Sequence, residues 1–302
     1  SAWKPMRAFD RAWSGKEAAV AALLVTAPFA PALLDAFRLA HANGVQTYTP
    51  LVPAVALYLG WRRQPEFVAT AARLPQPAGL LTVTTPFTAT VALAAARLST
   101  DPALGAALRI LAWLALLAGT LRFLLGRAGF ERWGPSLVLL LFLAPLPRVG
   151  VEIAEGFLQH GSALAARMLF EFQGTPVHLG DLTLHLPGMS LRVAPECSGL
   201  RSTLVLLLLT AIAAITLLRG TPARLALIAA VAPIAVARNA LRIFVIGELC
   251  LREGPAALDS ILHRHGGPAF FALSLVPWTL LLLALGRREA AARGAIPVPA
   301  SS

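Results

Sequence analysis

Apolar residues in this chain come in long runs rather than in the short alternating steps of a water-facing fold. Eight such stretches can be traced, at approximately 18–34, 45–61, 78–97, 103–125, 134–147, 198–218, 223–248 and 268–286, with charged or Pro/Gly-rich connections between them. A helix needs about 20 mostly apolar residues to cross the hydrocarbon of a bilayer. The pattern therefore predicts an all-α polytopic membrane protein with about eight transmembrane helices. The fifth stretch, 134-GPSLVLLLFLAPLP-147, is short for a span unless it continues toward Val151.

One connection is too long to be a turn. Residues 148–197 open with 152-EIAEGFLQHGSALAARMLFEF-172, which puts Ile153, Phe157, Leu164, Met168 and Phe172 broadly along one side. Such a stripe is expected of a helix lying in or dipping into the membrane interface. The following 176-PVHLGDLTLHLPGMSLRV-193 alternates around Gly-Asp and Pro-Gly pairs and reads as short strands. No repeat of fixed period and no low-complexity linker interrupts the chain, so residues 1–302 are read as a single integral membrane domain carrying this small platform.

Composition sharpens the picture. The 302 residues are 57% hydrophobic and 14% charged, against roughly 45–50% and about 25% in soluble domains. A soluble enzyme, a disordered chain and a DNA-binding domain are all poor readings on this ground, despite a net charge of +11. The basic excess is a matter of topology. With the N-terminus inside, the cytoplasmic loops collect 14 of the 26 Lys and Arg residues against five of the 15 acidic ones, a positive-inside distribution. The expected arrangement is N-in/C-in, with the insert at about 148–197 outside the cytoplasm, and nucleic acid is not needed to explain the charge. No cleavable signal peptide is expected from the opening residues. Two cysteines, Cys197 and Cys250, rule out a disulfide scaffold or a zinc ribbon, and the two are expected to remain unpaired.

Three segments carry candidate chemistry. In 194-APECSGLRST-203, Glu196 and Cys197 precede a long apolar helix that Ser198 can cap, while Gly199 leaves the thiol uncrowded. A helix N-terminus favours the thiolate, and Arg201 adds positive charge one turn on. The alternative is that Cys197 is a small apolar filler. In 237-ARNALRIF-244, Arg238, Asn239 and Arg242 fall near one face of the seventh span. Arginine in the middle of a membrane helix is costly, so these residues either serve a function or snorkel to the outer headgroups. In 259-DSILHRHGGPAFF-271, His263 and His265 lie just before the eighth span, again on the outer side. A thiol, guanidinium groups and an imidazole reaching one side of the membrane supply a nucleophile, an anion stabiliser and a proton carrier. His160, His178 and His185 are too loosely spaced to indicate a metalloenzyme, and no metal or organic cofactor is expected.

These residues resemble the exosortase/archaeosortase family of membrane-embedded cysteine transpeptidases. The similarity runs from Gln46 onward, through 48-YTPLVPAVALYLGWRR-63, 139-LLLFLAPLP-147 and the platform. Its specific part is ECSGLRS at 196–202, the Asn-x-x-Arg pattern from Asn239 to Arg242, and His-x-x-x-Gly from His263 to Gly267, followed by Phe270. Pro268 departs from the pattern, since an aromatic residue commonly follows that glycine, and His265 remains the alternative to His263. The resemblance implies cleavage, on the outer face of the inner (cytoplasmic) membrane, of exported proteins that end in a short motif such as Pro-Glu-Pro, a transmembrane helix and a basic tail. It implies Cys197 as nucleophile, Arg242 as the essential arginine and His263 as the essential histidine, with the acyl product passed through a thioester to an acceptor. Arg238, Asn239, Arg201, Ser198, Glu196 and His265 are supporting candidates. The partners implied are the sorted proteins, membrane lipids and an acyl acceptor of unknown identity. Two other readings stand beside it. One is a transporter binding an anionic substrate through Arg238 and Arg242; the other is a plain intramembrane thiol protease or acyltransferase.

Overall fold

A computed structural model describes residues 15–42, 44–62, 80–194, 198–254 and 267–294. It is mostly helical, with a small three-stranded sheet. Among the described residues, five helices are long and apolar enough to cross a membrane: Ala19–Ala42, Pro102–Arg127, Leu200–Leu217, Thr221–Glu253 and Gly267–Ala292. The number becomes six if Phe130–Leu143 and Arg148–Gln173 count as one broken span. The chain divides into two compact units, Ser1–Arg148 and Val149–Ser302.

In the first unit the helices are α1 (Gly15–Thr26), α2 (Ala30–Ala42), α3 (Leu51–Arg62), α4 (Leu80–Leu98) and α5 (Pro102–Leu140). The longest, α5, starts where the Asp101 carboxylate accepts the backbone N–H of Ala103 at 2.8 Å, with Pro102 at the first helical position, where no N–H is missed. Its Ala106, Ile110 and Ala112 are buried, and Trp113 Nε1 donates to Thr26 Oγ1 of α1 at 3.1 Å. The fourth and fifth expected spans fall on either side of a kink in α5, where Gly126 leaves helical geometry with φ 66° and ψ −164°, and the helix resumes by Phe130.

The second expected span also differs from the sequence reading. Its helix begins only at Leu51, because Gln46 to Pro50 form turns in which the N–H groups of Thr49 and Leu51 bond the carbonyls of Gln46 and Tyr48. At 12 residues, α3 is about 18 Å long at 1.5 Å per residue, short of a hydrocarbon core of about 30 Å. The side chain of Gln46 explains the turn. Its Nε2 donates to Ala144 O and its Oε1 accepts from Leu146 N, both at 3.0 Å, so the polar group that would break a span instead clamps the segment after α5.

The second unit opens with α6 (Arg148–Gln173), which buries Leu158, Gln159, Ser162, Ala163, Ala166 and Phe170 on one face. Ile153, Phe157, Leu164, Met168 and Phe172 are exposed, the stripe the sequence places along one side. The strands β1 (His178–Gly180), β2 (Thr183–Leu186) and β3 (Met189–Arg192) form an antiparallel meander in the order β1-β2-β3. Its second turn falls on the Pro-Gly pair read from the sequence, and its first lies one residue past the Gly-Asp reading, on Asp181 and Leu182. Asp181 and Leu182 both have positive φ, 46° and 62°, the twist a two-residue hairpin prefers. Pro187 and Gly188 form the second turn, with φ 79° at Gly188, a role for which Pro then Gly is suited.

The helices α7 (Leu200–Leu217), α8 (Thr221–Ala229), α9 (Val231–Glu253) and α10 (Gly267–Gly294) complete the unit. One core joins Ala163, Ala166 and Phe170 of α6 to Leu184 and Leu186 of β2 and to Ala240 and Ile243 of α9. Phe170 packs against Phe244 with ring centroids 4.9 Å apart and planes tilted by 56°, and Gly247 keeps α9 close: a Cβ there would stand 2.6 Å from Phe170 Cζ. A second core joins Leu206 and Ala213 to Leu227, Val231, Trp278 and Leu282. Within it Trp278 Nε1 donates to the buried Thr210 Oγ1 at 2.9 Å. Cys250 is a free, buried thiol packed by Ile246, Leu249 and Met189.

Candidate active site

The segment that leads into α7 is shaped by its glycine. Gly199 occupies the N-cap position of α7 with φ 76°, a left-handed conformation that glycine adopts without penalty. The expected serine cap sits one residue earlier: the buried Ser198 Oγ accepts the N–H of Leu200 at 3.3 Å. Two further hydroxyls, Ser202 Oγ and Thr203 Oγ1, donate back to Gly199 O at 2.9 and 2.8 Å.

From the neighbouring helix, Arg238 reaches into this turn. It is 7% exposed, and its Nη2 donates to Gly199 O at 3.1 Å and to Thr203 Oγ1 at 3.3 Å. Snorkelling to a headgroup is therefore not what Arg238 does. Its Nη1 is buried with no hydrogen-bond partner among the described residues. A Cβ at position 199 would lie 2.8 Å from Arg238 Nη2 and 3.5 Å from Asn239 Oδ1, so glycine is required here by close approach as well as by backbone angle. To the role assigned to Gly199 in the sequence, an uncrowded thiol, the structure adds this contact with α9.

Asn239 is fully buried beside Arg238, and Arg242 is half-buried one turn further along α9. Arg201 is exposed. Glu196, Cys197, His263 and His265 lie outside the described residues. The structure thus brings Ser198, Gly199, Arg238 and Asn239 together, and adds two residues that sequence reasoning passed over. Thr203 shares Arg238 with Gly199, and its spacing of one helical turn from the glycine is the only signal that marks it. Gln159 of α6 is buried and donates through Nε2 to Val193 O at 3.0 Å, which ties down the chain at the end of β3; a buried amide on a largely apolar helix face is its signal.

The electrostatic character of the turn follows from these contacts. The first N–H groups of an α-helix carry a partial positive charge, and a buried guanidinium is added to them here. Such a place stabilises an anion. A family model described as transmembrane exosortase (Exosortase_EpsH) matches residues 41–280, a stretch that includes α7, α9 and the segment between β3 and α7. The chain belongs to the exosortase family.

As an exosortase, it is a multi-pass membrane protein of a family whose members are generally transpeptidases. The matched residues also take in Cys197, Asn239, Arg242 and His263. No curated protein and no solved structure matches this exosortase.

Proposed function

We propose that this exosortase is a cysteine transpeptidase that cuts the C-terminal sorting tail of exported proteins on the outer face of the membrane, with Cys197 as nucleophile. The observation that carries the reading is the buried guanidinium of Arg238 bonded to the first turn of α7, two residues beyond Cys197. Its charge and the N-terminal dipole of α7 favour the thiolate over the thiol. Family membership over residues 41–280 supports the same assignment.

In the proposed reaction the Cys197 thiolate attacks the scissile carbonyl carbon, and the electron pair moves to oxygen. Arg242 stabilises that oxyanion, a role suited to a planar donor fork. The C–N bond breaks as His263 gives a proton to the departing amine, which leaves a thioester on Cys197. His263 then takes a proton from the acceptor nucleophile, whose attack on the thioester carbonyl releases the thiolate. A hydrolytic thiol protease follows the same first half and differs in using water as acceptor. The transporter reading makes Cys197 dispensable.

The test is co-expression with a substrate that carries a recognition motif, a transmembrane helix and a basic tail. Cys197→Ala should abolish processing at unchanged expression, and mass spectrometry of the wild type with substrate should reveal an acyl adduct on Cys197. Full processing by Cys197→Ala would overturn the proposal.

A further inference from the structure

The exposed face of the small sheet holds a pair of histidines that the proposed chemistry does not use. His178 of β1 stands opposite His185 of β2, and His185 stands opposite Ser190 of β3, so the three form one row across the sheet. The two imidazole rings lie 6.2 Å apart between centroids and are tilted by only 23°. A Cβ added to Gly180 would be 3.8 Å from His178 Nε2 and 3.9 Å from His185 Nε2. Both nitrogens therefore border the same small volume, and the residue beneath it has no side chain to fill it.

We propose that His178 and His185 form a two-imidazole site for a divalent transition-metal ion on the exposed face of this sheet. Imidazole suits Cu(II), Zn(II) and Ni(II), and Cu(II) leads the affinity order for such ligands. Metal–nitrogen bonds of about 2.0–2.1 Å require the rings to close on the ion. Both side chains are exposed, so rotation about their χ angles is open to them. His185 Nδ1 lies 2.9 Å from Ser190 Oγ; with the proton on Nδ1 and donated to that hydroxyl, the Nε2 lone pair is left for the metal, the usual way a second partner orients a histidine ligand. Arg192, the cation on this face, sits in the adjacent row opposite Thr183 and is exposed, so water and salt screen its charge. Among the described residues no third His, Cys, Asp or Glu joins the pair, and water completes the coordination. The site is accordingly open and exchangeable, unlike a closed structural zinc centre.

The experiment is titration of the full-length, tag-free protein in detergent with Cu(II), followed by electron paramagnetic resonance. The expected result is one ion per chain with a two-nitrogen hyperfine pattern. That pattern should disappear in His178→Ala and in His185→Ala, and also in Gly180→Val, which fills the shared volume while keeping both histidines. His160→Ala, an exposed histidine on α6, should leave it unchanged. No binding by the wild type, persistence of the two-nitrogen pattern in the His178→Ala/His185→Ala double variant, full affinity in Gly180→Val, or loss in His160→Ala would each overturn the proposal.

Discussion

Arg238 Nη2 donates to the carbonyl oxygen of Gly199 at 3.1 Å, across 39 positions of sequence. The bond fastens the middle of α9 to the first turn of α7, and Thr203 Oγ1 is held by the same nitrogen. The helix start that follows Cys197 is therefore anchored by a residue from another helix as well as by its own cap.

Removing that anchor should be measurable as stability. A hydrogen bond involving a charged group contributes about 1.5–3 kcal/mol, and Arg238→Ala also leaves a void in a buried position. The melting temperature of Arg238→Ala in detergent is expected to fall by several degrees, and Arg238→Met, which restores the packing but not the bonds, should recover only part of the loss. A melting temperature equal to that of the wild type for Arg238→Ala would show that the anchor is idle.

Gly199→Ala tests the same contact from the other side. The new methyl group would meet Arg238 Nη2 at 2.8 Å, and alanine at φ 76° carries a backbone penalty of about 1–2 kcal/mol. Both effects act in one direction. The variant should be destabilised by at least that amount. The Arg238→Ala/Gly199→Ala pair should lose less than the two single losses combined, because the steric conflict disappears with the guanidinium. Strict additivity in thermal melts would contradict this.

Much of the helical layout was readable from apolar run length, and the hairpin turns from Asp181 and from Pro187-Gly188. The apolar stripe of α6 was readable too, since its residues recur at helical spacing. What escaped were relations set by backbone groups. Gly199 O, the acceptor of Arg238, has no signature in the amino-acid sequence, and neither have Ala144 O, which accepts from Gln46, and Leu146 N, which donates to it, the pair that delays the start of α3. The early start of the helix after the Gly126 kink was hidden for another reason. Glu131, Arg132, Gly134 and Pro135 look like a connection, yet Pro135 is accommodated inside the helix while Arg132 donates to Gly60 O.

Acid should weaken the first unit through Asp101. Its carboxylate accepts the N–H of Arg148 at 2.9 Å as well as that of Ala103. These bonds, Arg148's foremost, hold its pKa below the ordinary carboxylate value. A depressed pKa in the folded state adds stability above the unfolded value, about 3.9, and that stability is lost as the pH falls through the folded value. Asp101→Asn should therefore melt below the wild type at neutral pH, with the gap closing on acidification below about pH 4. Because Asp101 is only half-buried, the gap should also shrink in salt. Melting curves that run parallel from pH 7 to pH 3 would contradict the assignment.

The sharpest test of the site separates two arginines one turn apart. Arg238 is committed to Gly199 and Thr203, which makes its charge part of the scaffold at the start of α7. Arg242 completes the Asn-x-x-Arg pattern and is the group to which the proposed mechanism gives the oxyanion. Lysine at either position keeps the charge but loses the planar fork. For Arg238→Lys a single ammonium can still reach one acceptor, so the expected outcome is a lowered melting temperature with partial processing. For Arg242→Lys the fold should persist while processing falls on the order of 10²–10³-fold, the loss typical when one oxyanion donor is removed. Both variants should be compared at equal amounts of folded protein, by melting and by the rate at which a co-expressed substrate is shortened. Equal loss of processing in the two, with both folded, would mean that the guanidinium groups act as one unit and that the assignment of the oxyanion to Arg242 alone is too narrow.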